Sequence, residues 1–295
     1  MVSLLSQLDK EFLEKKEFLE KITPVILCAG EGVRLKEITS KIPKPLILIN
    51  ALDNKPILRH TIDLLLKVGV NRIAIVKGYL GNKIDDFIDK LKQERADLKE
   101  KLVGVDASDQ YKLGPLYSFL SITKTNNLFR RNYIYLILPG DTIFEYELLN
   151  EIFSLLEENF KLKQKDPIIF FRQIMGSYLK QKDKSEQMTF IDIEKISSKR
   201  FLKSIKQVKV STISNSEFFN QIIPIFLFPW DFIQEIIKAE KEISVKTIRE
   251  AINHLIKQGN RIFAVKIDSK YNFYDIDNKF DLMELEKLKE KKVGK

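Results

Sequence analysis

From residue 23 onward, short apolar runs alternate with longer stretches in which apolar positions recur every three or four residues. Residues 23–28 form a run of the first kind and predict a buried strand. Residues 56–68 are of the second kind, with Leu58, Ile62 and Leu65 on one face, and predict a helix that Gly69 ends. The same rhythm predicts a strand at 72–76, a helix at 82–91, a weaker strand at 101–105 and a helix at 116–123. Residues 133–138, YIYLIL, are apolar throughout and end at Pro139-Gly140-Asp141; a helix over about 145–157 follows.

Strands and helices in strict alternation argue for βαβ units on a parallel sheet. Strands buried on both faces should be apolar without alternation, as PVIL and YIYLIL are. The expected fold is α/β, a Rossmann-like three-layer sandwich with a mixed, mostly parallel sheet. Ligands in such sheets sit at the carboxyl ends of strands, where the glycines after residue 28 and the Pro-Gly-Asp after residue 138 both fall. The second half is less regular. Strands are expected at 167–173, 187–193, 222–228 and 261–267, an exposed loop at 180–186, and helices near 230–240, 245–257 and 280–291.

Residues 1–22 precede this rhythm and place Leu5, Leu8, Phe12 and Leu19 near one helical face. That segment is expected to pack on the body behind it or to serve as an oligomer contact. The body runs from 23 to 291, in a first half to about 150 and a second half beyond it. No repeat and no Gly/Ser-rich linker divides the two halves.

The totals narrow the classes. No apolar run approaches the roughly 18 residues of a membrane span, and the N-terminus lacks a signal-peptide core, so no membrane partner is expected. The single cysteine, Cys28, excludes an intramolecular disulfide and a thiolate zinc cluster, which places the chain in the cytoplasm. Two histidines, His60 and His254, are too few for a His-based metal site. The net charge of +9 is concentrated in residues 161–209, where thirteen Lys and Arg face five Asp and Glu. With no interleaved aromatic motif, that surplus reads as a solvated surface, and nucleic acid is not an expected partner.

The chemistry begins at residues 28–46, CAGEGVRLKEITSKIPKPL. Gly30 and Gly32 allow a sharp turn after a strand and bring amide N–H groups close to an anion. Arg34 offers a planar fork to phosphate oxygens, and Lys44 adds a compact charge held on an extended segment by Pro43 and Pro45. Position 35 is leucine, so the dinucleotide fingerprint is incomplete, and no Gly-Lys-Ser/Thr of a Walker loop occurs.

The stretch G-E-G-V-R-L-K-E-I-T-S-K-I-P-K-P-L, with KPILRHTIDLLLKVGVNRIAIVKGYLGNKI, LGPLYS, PGDTIF and YDIDNKFDL after it, resembles the sugar-1-phosphate and polyol-phosphate nucleotidylyltransferases of the nucleoside-triphosphate-transferase family. The likeness runs in order over about residues 23–285 and implies transfer of NMP from an NTP to a phosphorylated small molecule, with Mg²⁺. It places Cys28, Ala29, Gly30, Glu31 and Gly32 in the loop around the triphosphate, and Arg34 and Lys44 as the basic catalytic pair. Asp141 and Asp275 take the place of the metal aspartates, with Asp277 as the alternative to Asp275. Gln110 and Gly114 fall in the base-binding turn, and Lys195, in a Glu-Lys without the family's following proline, in the acceptor site.

An acceptor phosphate is already anionic, so the reaction asks for positioning and charge neutralisation rather than a general base. The Gly114-Pro115-Leu116 turn is closer to the branch that makes guanylated molybdopterin cofactor, and D-I-D-x-x-x-D-L to the cytidylyl- and guanylyl-transferring branches. The residues around 220–228 lack the family's Asn-Ala-Gly-Ile-Tyr. A non-sugar acceptor (inositol phosphate, phosphocholine or a molybdopterin) and a catalytically silent regulatory relative therefore stand as alternatives. No left-handed β-helix acyltransferase domain is expected after the final helix.

Overall fold

The computed structural model describes residues 13–125, 127–161, 166–181 and 187–285. A helix over residues 13–21 (α1) leads directly into β1 (Ile22–Cys28). A 3-10 turn and the one-turn α2 (Lys36–Thr39) follow, then the two-residue strands β2 (Leu48–Ile49) and β3 (Lys55–Pro56). The regular alternation is α3 (Ile57–Lys67), β4 (Ile73–Lys77), α4 (Gly81–Glu94), β5 (Leu102–Asp106), α5 (Pro115–Leu120) and β6 (Ile134–Pro139). After β7 (Thr142–Phe144) and α6 (Tyr146–Lys161) come β8 (Ile168–Met175), β9 (Gln187–Ile196), β10 (Lys199–Lys209) and β11 (Phe218–Pro229). Helices α7 (Trp230–Ile243) and α8 (Ile248–Lys257) precede β12 (Phe263–Lys266) and β13 (Phe273–Asp275), and α9 covers residues 279–285.

Nine strands form one sheet in the order β5-β4-β1-β6-β11-β8-β12-β10-β9. Pairing is parallel from β5 to β6 and between β8 and β12; β11 and β10 run against their neighbours, so the sheet is mixed: seven of its nine strands point one way, while four of its pairings are parallel and five antiparallel. Alternate side chains of β1 enter two different cores. Ile22 and Ile26 join the layer holding Phe18, Leu58, Ile84 and Leu148, while Val25 joins the layer holding Phe119, Ile233 and Ile252. The three-layer sandwich therefore has α1, α3, α4 and α6 on one face and α5, α7 and α8 on the other. This explains why β1 and β6 are apolar without alternation.

Helix α1 packs on its own chain. Phe18, 2% exposed, meets the rings of Phe153 and Phe160 at 6.3 and 5.5 Å, and Leu19 lies against Gly69. Leu5, Leu8 and Phe12 lie outside the described residues. Gly69 ends α3 as expected, at φ +97. His60 is a packing residue, its Nε2 2.9 Å from the Phe144 carbonyl.

The second half contains what the sequence did not show. β10 was read as part of a basic surface, but it pairs along its length with β9 and buries Phe201, Leu202 and Ile205. A bulge between Leu202 and Ser204 breaks the period of two, so no alternating signal survives. Its Lys199, Arg200, Lys203, Lys206 and Lys209 are exposed and supply much of the basic surface. Of the expected loop at 180–186, residues 182–186 lie outside the described residues; 176–181 form a 3-10 turn.

Candidate functional site

Four segments distant in sequence meet at the carboxyl ends of β1 and β6. The first is the glycine loop. Gly32 adopts φ +62, and a Cβ there would stand 2.9 Å from Thr39 Cγ2, so the turn demands glycine. Thr39 Oγ1 donates to the Gly32 carbonyl at 3.0 Å and fixes the loop from beneath. The second segment holds Lys44. Pro43 is extended, but Lys44 opens a 3-10 turn rather than continuing the extended segment expected, because the Leu46 N–H reaches the Pro43 carbonyl at 2.8 Å.

The third segment leaves β6. The Gly140 N–H donates to the Leu27 carbonyl at 2.9 Å, and a Cβ on Gly140 would lie 2.6 Å from Cys28 Sγ. Only glycine lets the two strand ends approach this closely, and the approach sets Asp141 beside the glycine loop. The fourth segment is β13, whose Asp275 pairs with Thr142 in a two-stranded ladder. The Ile276 N–H donates to the Asp141 carbonyl at 3.1 Å, so Asp141, Asp275 and Asp277 are brought together.

Their charges interlock. Lys44 is 6% exposed, and its Nζ donates to Asp141 Oδ2 at 2.7 Å and to Asp277 Oδ1 at 3.2 Å. Burial opposes the charge of Lys44, but the two carboxylates outweigh it and raise its pKa above that of an ordinary lysine. Arg34 Nη1 donates to the other Asp277 oxygen at 3.0 Å from the solvent side. Asp275 accepts from Thr142 Oγ1 at 2.5 Å. Its pKa is pushed up to about 6 by the protein crowded around it and then by the charges of Asp141 and Asp277, against the Thr142 bond and Lys44. Its surface nevertheless opens on the cleft, so water screens part of that effect. Burial pushes the Cys28 thiol up, with Asp141 adding to the rise. Cys28 therefore keeps its proton and, like the buried Ala29, offers a ligand only its backbone.

Among the described residues, no cluster of three or more His, Cys, Asp and Glu forms a metal cage. Two neighbouring carboxylates, Asp141 in the turn after β6 and Asp275 on β13, nonetheless have the donor chemistry that suits a hard divalent cation. Such a cation needs one or two carboxylates when phosphate oxygens complete its sphere.

The base-binding candidates stand on the turn after β5. Gln110 lies in the 3-10 turn Ser108–Leu113, half-buried, and the neighbouring Lys112 is within electrostatic reach of Glu31 in the glycine loop. Gly114, at φ +136, is pressed against the loop before α8: a Cβ there would sit 2.5 Å from the Lys246 carbonyl, which accepts from the Leu116 N–H at 3.1 Å.

Lys195, exposed on β9, has no hydrogen bond or ion pair to this group among the described residues. Lys195 pairs with Arg200 near the tip of the β9–β10 hairpin, next to Phe201, which pairs with Phe263, the first residue of β12. β9 runs parallel to β12, β8 and β6, so Lys195, next to last in β9, stands near the carboxyl end of its strand. Sequence reasoning ranked Asp277 below Asp275 as a metal ligand and gave it no other role; the structure makes it the bridge between Arg34 and Lys44. The two-residue spacing of Asp275 and Asp277 was the available signal. Thr142 gave none beyond its place after Asp141.

A sequence model of the family described as "Nucleotidyl transferase" matches residues 23–171. The probable glucose-1-phosphate cytidylyltransferase of Bacillus subtilis is 44% identical over 63 residues, 21% of this chain and 24% of the relative. The D-glycero-alpha-D-manno-heptose 1-phosphate guanylyltransferase of Campylobacter jejuni is 31% identical over 124 residues, 42% of this chain and 49% of the relative. The matches thus span about a quarter to a half of the length of these relatives. A solved UDP-glucose pyrophosphorylase complexed with UDP-glucose superposes with a TM-score of 0.68 at 18% identity, covering 92% of this chain and 98% of the other. The CTP:phosphocholine cytidylyltransferase from Streptococcus pneumoniae gives a TM-score of 0.61 at 17% identity, covering 91% and 99%. Both are similar to this chain in fold.

Proposed function

That the chain belongs to the nucleotidyl transferase family is the premise from which we propose its reaction: transfer of a nucleotidyl group from a nucleoside triphosphate to a sugar-1-phosphate or polyol phosphate, with release of pyrophosphate. The observation that carries this reading is the buried ammonium of Lys44, clamped between Asp141 and Asp277 with Arg34 on the far side. Negative phosphate oxygens match the two cations, and a divalent cation matches the carboxylates. A metal-bound triphosphate fits both halves of the pattern at once.

The residues act by position and charge. The amides of Gly30, Glu31 and Gly32 receive the triphosphate, and Arg34 forks onto its outer oxygens. Lys44 faces the α-phosphate, where charge changes as the acceptor's phosphate oxygen bonds to phosphorus and the bond to the β-phosphate bridging oxygen breaks. The electron pair leaves with pyrophosphate. Asp141 and Asp275 are the groups that would hold Mg²⁺, which screens the phosphate charges when bound. Preorganised charge of this kind is the main catalytic resource for phosphoryl chemistry. Gln110 and the Gly114 turn border the side from which the base is read. A lone cysteine, reduced and buried, suits an enzyme of the cytoplasm.

The names of the relatives span cytidylyl and guanylyl transfer to sugar 1-phosphates, which supports the class and leaves the base to experiment. The test is pyrophosphate release from each of the four NTPs against a panel of sugar-1-phosphates, inositol phosphate and phosphocholine. Turnover with one sugar or polyol phosphate is expected. Nucleotide binding without turnover for any pair would replace this reading with that of a silent relative.

A further inference from the structure

We infer that Arg172 is the positioning residue for the metal-binding strand: its guanidinium, buried on β8, sets the place of β13 and so of Asp275. The inference rests on the assignment of Asp275 to the metal. β13 pairs with β7 in a separate two-stranded ladder and not with the nine-stranded sheet. Arg172 spans the gap. Its Nε donates to Gln221 Oε1 on β11 at 2.8 Å, which fixes the side chain within the sheet. Its Nη1 donates to the Tyr271 carbonyl at 2.9 Å and to Asn272 Oδ1 at 3.3 Å, the two residues that lead into β13. The planar cation also covers the Phe273 ring at 4.7 Å. From the other side Glu145 accepts from the Asn272 N–H at 2.9 Å. Residues 271–273 are therefore held from both sides, two residues before the carboxylate that the site uses.

Packing does not call for an arginine here. Arg172 is 4% exposed, and its neighbours on the same face of β8, Phe170 and Ile174, are apolar. An apolar side chain would fill the place without the cost of burying a cation. Its hydrogen bonds to Gln221, Tyr271 and Asn272 go to neutral acceptors, and the Asp275 carboxylate acts on it only at longer range. What the guanidinium supplies, and a hydrocarbon cannot, is a rigid fork with donors aimed at two strands. Residues that orient a metal ligand in this way typically govern metal affinity by 10- to 100-fold.

The experiment titrates Mn²⁺ calorimetrically into the whole chain and into Arg172→Lys and Arg172→Met, with melting temperature recorded alongside. Lysine keeps the charge but loses the fork; methionine loses both. Positioning predicts Mn²⁺ affinity about tenfold or more weaker in both variants, with KM for the NTP little changed and the Mn²⁺ needed for half-maximal rate raised. Two results overturn it: wild-type affinity in Arg172→Lys, and tighter binding in Arg172→Met, which would mean that Arg172 acts only through its charge. Should either variant fail to fold, Gln221→Leu frees the fork from the sheet while leaving Arg172 in place. Weaker Mn²⁺ binding in that variant supports the inference, and unchanged binding overturns it. Asp275→Asn is the control for the underlying assignment. If it leaves Mn²⁺ affinity intact, the metal reading fails, whatever Arg172 does.

Discussion

Asp275 is expected to cost the metal-free protein stability, so Asp275→Asn should abolish turnover and at the same time raise the melting temperature in EDTA. The carboxyl has a folded pKa of about 6, against about 3.9 for an unfolded aspartate. The folded state thus binds this proton more tightly than the unfolded chain does. The stability associated with that proton is fully present below about pH 3.9 and lost as pH rises through 6. Two units correspond to about 3 kcal/mol at full strength. Because Asp275 opens on the cleft, screening reduces the expected figure to about 1 kcal/mol. For a chain of this size that is about 2 °C. Asparagine keeps an oxygen for the Thr142 hydroxyl, so that bond survives. Thermal unfolding in EDTA at a series of pH values is the assay: the variant should melt higher at pH 8, with the gap closing toward pH 4.5. A variant no more stable than wild type at pH 8, or a gap independent of pH, refutes the reasoning.

Three further perturbations test separate parts of the structure. Lys44→Met leaves Asp141 and Asp277 without their shared partner; turnover measured by pyrophosphate release should fall by about 10²–10³-fold, and stability by about 1–2 kcal/mol. Gly32→Ala forces a Cβ against Thr39 at a left-handed backbone position; urea titration should show a loss of about 1–2 kcal/mol, and KM for the NTP should rise. Phe18→Ala removes the ring between Phe153 and Phe160; denaturation should show a cost of about 3–5 kcal/mol with kcat retained, whereas a negligible cost would mean that α1 is not part of the core.

The first half of the chain was legible because its strands are buried on both faces and its helices on one, so each announces itself by period. Gly69, Gly140 and the Gly30–Gly32 pair were legible as turns. What failed to show in sequence has a common cause. The apolar residues of β10 lose their alternation at the Leu202/Ser204 bulge, and β7 and β13, three residues each, are too short to carry a period. The site followed the same division. Arg34, Lys44 and Asp141 lie beside strong local signals, whereas Asp277 as a bridge, Thr142 as a donor and Arg172 as a fork depend on neighbours 49 to 243 residues away in the chain, or on a hydroxyl with no motif.

The nine strands of the main sheet are complete by Lys266, yet the carboxylates that finish the site arrive only with residues 275–277. The Arg34–Asp277 pair joins positions 243 residues apart. During synthesis, then, the scaffold can form before there is any active centre to speak of. A nascent or clipped chain lacking the last strand would have a folded body and no chemistry, which separates acquiring shape from acquiring reactivity in time. Proteolysis in the exposed stretch 268–270 should therefore abolish turnover, and loss of the released segment would also leave Arg172 without its Tyr271 and Asn272 acceptors.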